Sequence, residues 1–229
     1  MDKILDIICA TPLFNGLGEE ELQQVRRIAV DRLYAKGKNI FMEGDPGDGF
    51  YIVADGKVKI FKISADGKEQ ILHIYGPGHP FGEVPVFSGQ KFPANAVSLL
   101  KSHLLFFPRT AFIRLISDNP SLSLNMLAVL SMRLREFTVQ IENLSLKEVP
   151  GRLASYLIYL SCEQQSCQKV TLPVSKGQLA SLLGTIPETL SRIFAKMASQ
   201  ALIDVNGSDI ILKDRPGLKE LSELGRLSD

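Results

Sequence analysis

The 229-residue chain predicts an α+β fold: a β-roll or jelly roll, then one long helix, then a small helical domain carrying a winged helix-turn-helix. Three observations predict it. Ten glycines from Gly37 to Gly89 punctuate short apolar runs. The stretch NMLAVLSMRLREFTVQIENLSL, residues 125–146, contains neither Gly nor Pro. Val174 to Met197, VSKGQLASLLGTIPETLSRIFAKM, reads as two short helices hinged at a glycine. With 45% hydrophobic residues, the chain has enough apolar material for two packed cores. The expected boundaries are 1–119 for the roll, 120–148 for the long helix and a hinge, and 149–229 for the helix-turn-helix domain.

Between Asp31 and Phe107, apolar runs such as FYIVADGKVKIFKIS and QILHIY have the length of strands, and the glycines between them mark tight turns. Asp55-Gly56 and Asp66-Gly67 each sit between two apolar runs, the strongest short-range hairpin signal. Many short antiparallel strands close into a barrel or roll, which encloses a pocket. Near Arg109 the apolar period changes to 3.6 residues, and after Pro120 it continues as one helix. Leu127, Leu130, Leu134, Phe137, Ile141 and Leu144 alternate spacings of three and four, the seam of a coiled coil. A single helix lying on its own domain gives the same pattern. A seam this long is better buried against a symmetry mate, so a homodimer is expected. Val149-Pro150-Gly151 then breaks the helix and reads as a hinge.

In the last domain, Ser175 and Gln178 have capping-box spacing, Leu179, Leu182 and Leu183 supply an apolar stripe, and Gly184 stops the first helix. Thr185 and Glu188 repeat the capping spacing, and Pro187 falls in the first turn of the second helix, where its missing N–H costs nothing. Leu190, Ile193, Phe194 and Met197 form the buried side, leaving Glu188, Thr189, Ser191, Arg192 and Lys196 outside. An ordinary helical hairpin would show the same caps, and a solvated ion pair the same Glu188 to Arg192 spacing. In a major groove, however, Arg suits guanine O6 and N7 while Glu accepts from cytosine N4. The expected DNA-binding residues are therefore those five outer residues with Ser175, Lys176, Thr185 and Pro187. ALIDVNGSDIILKD adds a hairpin through Asn206-Gly207-Ser208, the wing.

Net charge is +1, so DNA contact must come from a local set of cations rather than a basic stripe. The N-terminus resembles neither a signal peptide nor a membrane span, which predicts a cytoplasmic protein. Cys9, Cys162 and Cys167 are too few for a disulfide framework or an iron–sulfur cluster and read as reduced thiols, with Cys162 and Cys167 spaced so that a disulfide sensor is open to them. No catalytic constellation appears, and Gly44, Gly47 and Gly49 read as turns rather than a phosphate cradle. No enzyme is expected.

The order of parts, the roll signature GDPGDGFYIVADGKVKIF, the triplet Phe81-Gly82-Glu83 and the pattern PETLSRIFAKM resemble the family of the cyclic-AMP receptor protein and the fumarate and nitrate reduction regulator. The resemblance covers nearly the whole chain. It implies a cyclic-nucleotide-binding-like effector roll, a dimerisation helix and a winged DNA-binding domain, hence a dimeric transcription regulator of a palindromic site. Glu188, Ser191 and Arg192 are similar to the fumarate and nitrate branch, whose half-sites are TTGA-like, and the helix resembles that of the nitric-oxide-responsive dissimilatory nitrate respiration regulators. Double-stranded DNA, a small-molecule or gas effector and RNA polymerase are the partner classes this implies.

Where cyclic-AMP-binding members carry an Arg-Ser or Arg-Thr phosphate clamp, this chain has SGQKFPANA, with Phe92 and Pro93 at the clamp. A buried phosphate without a guanidinium is costly, and Lys91 offers only a point charge, so cyclic AMP is not the expected effector. Cys9 alone does not supply the cluster of the oxygen-sensing branch. The expected effector pocket comprises Gly82, Glu83, Phe92, Pro93, Ala94 and His73, apolar enough for haem or another planar ligand. His73 is the first candidate axial ligand, followed by His79 and His103. A reading from another class is a regulatory subunit of an enzyme or channel that works through the roll alone and lacks an exposed Glu188 and Arg192 face.

Overall fold

The computed structural model describes residues 3–166 and 168–225. The chain divides into two compact units, residues 1–134 and 135–229. In the first, α1 (Lys3–Ala10), a single turn at Pro12–Phe14 and α2 (Glu19–Ile28) precede the strands β1 (Val30–Tyr34), β2 (Asn39–Phe41), β3 (Gly49–Asp55), β4 (Val58–Ile63), β5 (Glu69–Tyr75) and β6 (Pro80–Phe81). Then come α3 (Val84–Ser88), β7 (Asn95–Ser98), β8 (Ser102–Pro108), α4 (Arg109–Asp118) and the first half of α5 (Pro120–Leu146). Two four-stranded antiparallel sheets result, ordered β1-β8-β3-β6 and β2-β7-β4-β5.

The first sheet is buried on both faces. Leu104 and Phe106 of β8 join an interior core with Phe41, Tyr51, Phe81 and Phe92, while Leu105 and Phe107 pack with Phe14, Phe112 and Leu122 from the helical layer. That explains the unbroken FYIV run of β3, whose residues are all buried, since alternation is kept only where one face meets water. The helix α5 extends this helical layer: Leu122 and Met126 are buried, and Val129 and Leu130 pack against the same core.

The Asp66-Gly67 hairpin forms, joining β4 to β5 with Ile63 opposite Glu69 and Gly67 at φ +83°. Asp55-Gly56 does not make a hairpin. β3 pairs with β8 and β6, and β4 with β5 and β7, so this turn carries the chain from one sheet to the other. The glycine is needed there for two reasons, its φ of +93° and the 2.4 Å that would separate a methyl group from Ser102 Oγ.

The seam residues of α5 divide. Leu127 (59% exposed), Leu134 (69%) and Ile141 (64%) face solvent in the single chain, as do Phe137 and Leu144, whereas Leu130 is half-buried on the first core. Among the described residues, no helix is long and apolar enough to cross a membrane.

The second unit holds the rest of α5, then α6 (Val149–Glu163), β9 (Lys169–Thr171), α7 (Lys176–Leu182), α8 (Pro187–Ser199), β10 (Ile203–Asn206), β11 (Asp209–Leu212) and α9 (Arg215–Leu224). The strands form a sheet ordered β10-β11-β9. Its core gathers Leu153, Leu157, Leu179, Leu190, Phe194, Met197, Ile210 and Leu218. Cys9 and Cys162 are free, exposed thiols, and Cys167, which the spacing leaves open as a disulfide partner of Cys162, lies outside the described residues.

Val149-Pro150-Gly151, expected as a hinge, is instead the first turn of α6, and it is fastened down. Glu148 N donates to Gly225 O at 2.9 Å, and Arg152 donates through Nε to Lys147 O (3.0 Å) and through Nη1 to Leu183 O (2.6 Å). A methyl group at Gly151 would lie 2.5 Å from Gly225 Cα. Gly151→Ala should therefore force two backbone segments apart and cost about 1–3 kcal/mol, measured by urea unfolding followed through α-helical circular dichroism. An unchanged midpoint would show that the contact yields freely.

Candidate nucleic-acid interface and effector site

The helix-turn-helix is built by its caps. Ser175 Oγ accepts from Gln178 N (3.3 Å) and Gln178 Oε1 accepts from Ser175 N (3.2 Å), a complete capping box at the start of α7. Gly184, at φ +65°, turns the chain after Leu183. The second expected box is absent. The N-cap of α8 is Ile186 and makes no side-chain bond, because Pro187 occupies the first turn and Thr185 falls one residue too early. Thr185 N instead donates to Ala180 O at 2.9 Å, so backbone rather than a hydroxyl closes the turn.

Along α8, Leu190, Phe194 and Met197 are buried and Ile193 packs beside them. Pro187, Glu188, Ser191, Arg192 and Lys196 are exposed, as are Ser175 and Lys176, and Thr185 and Thr189 are half-buried. Arg192 Nη2 donates to Thr189 Oγ1 at 3.2 Å. It leaves Glu188 free, so the carboxylate and the remaining guanidinium donors both face outward. Lys176 Nζ rests over the Phe194 ring, 5.3 Å from its centroid, a loose cation–π contact that an anion can compete with. On the wing, Gly207 takes φ +63° between β10 and β11. Lys169 pairs with Asp209 (2.7 Å) and Lys213 with Asp204 (3.4 Å).

In the roll, Glu83 is buried and its carboxylate is paired with Arg133 of α5. The same guanidinium donates to Pro80 O and lies 4.9 Å from the Tyr75 ring centroid. Sequence reasoning missed Arg133, although a signal existed: continuing the roll-facing stripe Leu122, Met126, Val129 by four residues reaches it. A cation at the end of a buried stripe needs a buried carboxylate.

Phe92 stacks on Phe41 with centroids 3.8 Å apart and planes 6° from parallel. Gly82, at φ +73°, lets both rings close in, since a methyl group there would stand 3.1 to 3.2 Å from them. Ala94 is buried, but Pro93, expected to line the pocket, is exposed, and its carbonyl accepts from Lys62 Nζ at 3.0 Å. Lys91 is also exposed.

His73 lies 4.2 Å from Tyr75. Burial above all, then Arg133 and then His79, push its pKa down to about 4, so the ring is neutral at physiological pH. The other two histidines are spent elsewhere. His79 is exposed, with Nδ1 against Gly76 O and Pro77 O, and His103 pairs with Asp31 on the side of β8 opposite Leu104. With Tyr75 and Arg133 beside His73 and aromatic rings filling the interior, the side chains as arranged do not fit a haem macrocycle.

Residues 31–119 match the cyclic nucleotide-binding domain model and residues 151–221 the Crp-like helix-turn-helix domain model. The chain is 32% identical to the cyclic AMP receptor protein of Thermus thermophilus, over 93% of this chain and 97% of that one. It is 29% identical to a CRP-like cAMP-activated global transcriptional regulator of Mycobacterium tuberculosis, over 91% and 95%. The fold is similar to that of FixK2 from Bradyrhizobium japonicum, at a TM-score of 0.76 and 23% identity, covering 88% of this chain and 100% of that one.

The depressed pKa of His73 fixes an acid response. Well above the ordinary pKa of 6.5 the ring is neutral both folded and unfolded and adds no pH dependence. As pH falls through that value the unfolded ring takes a proton that the folded ring refuses, and stability falls until the folded ring titrates near pH 4. Moving from about pH 7.5 to about pH 5 should cost roughly 2 kcal/mol through this group. Urea unfolding of the parent and of His73→Phe at both pH values checks it: the variant should lose that much less stability, and equal losses would refute the assignment.

Proposed function

Because this chain belongs to the family of the cyclic-AMP receptor protein and the fumarate and nitrate reduction regulator, whose compared members are transcription regulators and not enzymes, we propose that it acts as a homodimer on a palindromic DNA site. The observation that carries the reading is the outer face of α8. Glu188, Ser191, Arg192 and Lys196 are exposed on a helix whose opposite side is locked into the second core, as groove insertion requires. A regulatory subunit working through the roll alone has no use for such a face. RNA polymerase is the partner through which a regulator of this kind acts.

The dimer follows from α5. Leu127, Leu134, Phe137, Ile141 and Leu144 leave a continuous apolar stripe in water in the single chain, and a second copy of the same helix covers it by self-complementarity. Two α8 helices related by a twofold axis then meet half-sites about one helical turn apart. Cyclic AMP is not the effector in this proposal. Among the family-expected positions, Phe92 stands buried against Phe41 and Pro93 is turned outward, so neither offers the guanidinium or hydroxyl that a cyclic phosphate needs.

Leu134→Glu combined with Ile141→Glu should give monomers in sedimentation velocity, while the parent sediments as a dimer at micromolar concentration. A dimeric double variant would sink the seam assignment. Arg192→Ala should cost about 1–3 kcal/mol per half-site and relax the preference for one guanine in a TTGA-like or TGTGA-like half. Selection from random DNA with both proteins decides it, and recovery of the same motif at equal affinity would remove Arg192 from base readout.

A further inference from the structure

The turn that opens α8 places an apolar side chain where a polar one serves the helix better. Ile186 is the N-cap, with φ −107° and ψ 154°, and contributes no side-chain bond to the first turn. Serine, threonine, aspartate and asparagine are favoured at this position, and isoleucine is among the poorest choices. Pro187 restricts the residue before it to extended backbone, which accounts for a β-branched side chain but not for an apolar one. Threonine meets the same backbone demand and also caps the helix. Packing does not explain the choice either, because Ile186 is 51% exposed and stands outside the second core. Among the described residues from Ser175 to Ser199, it is the one strongly exposed large hydrophobic.

The same side chain is firmly held. Thr185 N donates to Ala180 O at 2.9 Å before it, and Ile186 O accepts from Leu190 N at 3.0 Å after it, so its backbone is tied to both helices. Branching at Cβ restricts χ1, and little rotamer freedom remains to be lost on contact. Exposed Pro187 and Glu188 follow directly, which makes Ile186 continuous with the face proposed above to meet DNA. The major groove offers one apolar group to such a side chain, the C5 methyl of thymine. We propose that Ile186 determines specificity by packing on a thymine C5 methyl in each half-site. This rests on the DNA-binding reading and deepens it, adding an apolar reader to the polar set of Glu188, Ser191 and Arg192. The helix forgoes a capping hydrogen bond for a contact that exists only in the complex, a local rule broken at a functional surface. Phosphate does not attract an alkyl group and cytosine carries no methyl, so the contact favours thymine without raising affinity for DNA at large.

Replacing thymine by deoxyuridine removes only the methyl, and the symmetric site selected from random DNA is the substrate for the test. In fluorescence anisotropy, deoxyuridine at one thymine position in both half-sites should weaken binding by the parent about fifteenfold, or about fourfold per methyl. Ile186→Ser should bind the thymine and deoxyuridine forms of that site within about twofold of each other. Ile186→Val keeps a branched apolar side chain and should retain most of the parent's discrimination. A parent indifferent to deoxyuridine at every thymine, or Ile186→Ser as sensitive as the parent at the same position, would overturn the proposal and leave the DNA-binding reading intact. A parent that binds no DNA would remove both.

Thermal unfolding separates this role from a structural one. Ile186→Ser supplies the missing cap oxygen, so its melting temperature should equal or exceed the parent's. The loss of discrimination then occurs in a protein at least as stable as the parent. A fall in melting temperature of about 4 °C or more would show that Ile186 packs the fold rather than the groove, and would overturn the assignment.

Discussion

A guanidinium buried at the end of an apolar helical stripe constrains much of the first unit. Arg133 sits one turn beyond Val129 on α5 and reaches Glu83, two residues beyond the end of β6. Moving two such groups out of water is expensive, and their mutual attraction in a low-dielectric interior does little more than offset that expense. The pair therefore adds little net stability. It selects one arrangement, because any sliding of α5 by a residue or rotation by a fraction of a turn would leave a carboxylate and a guanidinium buried and apart. Leu122, Met126 and Leu130 supply the apolar burial that makes the helix adhere, and the ion pair supplies the register.

That division of labour resolves the mixed character of α5. A helix with one apolar face has one partner, and this helix has two faces. Leu122, Met126 and Val129 belong to the roll, while Leu127, Leu134 and Ile141 remain in water. In sequence the two stripes overlap and look like one heptad seam, with Leu130 counted in the wrong set. The buried Arg133 distinguishes them, since a charge at that position is compatible with the roll face and its carboxylate but falls outside the heptad spacing. The same logic applies to the aromatic interior. Phe92 at a position where family members place a polar clamp looks in the sequence like a widened apolar pocket. In the fold it meets Phe41, a residue fifty-one positions away, and the space closes.

The parts legible in the sequence were those fixed by neighbours in the chain. Ser175 with Gln178, Gly184 at positive φ and the Asp66-Gly67 hairpin depend on interactions spanning a few residues; the helix-turn-helix followed from the first two, and the long helix from a run without Gly or Pro at residues 125–146. The illegible parts were those in which a local signal admits two continuations. Asp55-Gly56 specifies a tight reversal but not whether the next strand pairs with the last or crosses to the other sheet. Thr185 and Glu188 have the spacing of a cap, yet Pro187 starts the helix a residue later than that spacing assumes. β9 is only three residues long and is held by pairing with β11, too short for periodicity to reveal. Arg133 and Glu83 lie fifty positions apart, and a buried ion pair leaves no mark on either residue's immediate neighbours.

The charge arrangement of the second unit bears on how recognition is divided. With a net charge of +1 over the whole chain, long-range attraction to the phosphate backbone is weak, and affinity must come from a few placed groups. The wing gives up its cations internally, Lys169 to Asp209 and Lys213 to Asp204, so its tip at Asn206, Gly207 and Ser208 offers only backbone and neutral side chains. Lys176, Arg192 and Lys196 remain on the side of the recognition helix, with Glu188 as the one carboxylate among them. A carboxylate there repels phosphate at every sequence and is repaid only where it accepts a hydrogen bond from a cytosine amino group. On the proposed groove insertion, Glu188 lowers non-specific binding more than specific binding. In a chain with little excess positive charge, that proposal makes discrimination arise as much from what this helix refuses as from what Arg192 attracts.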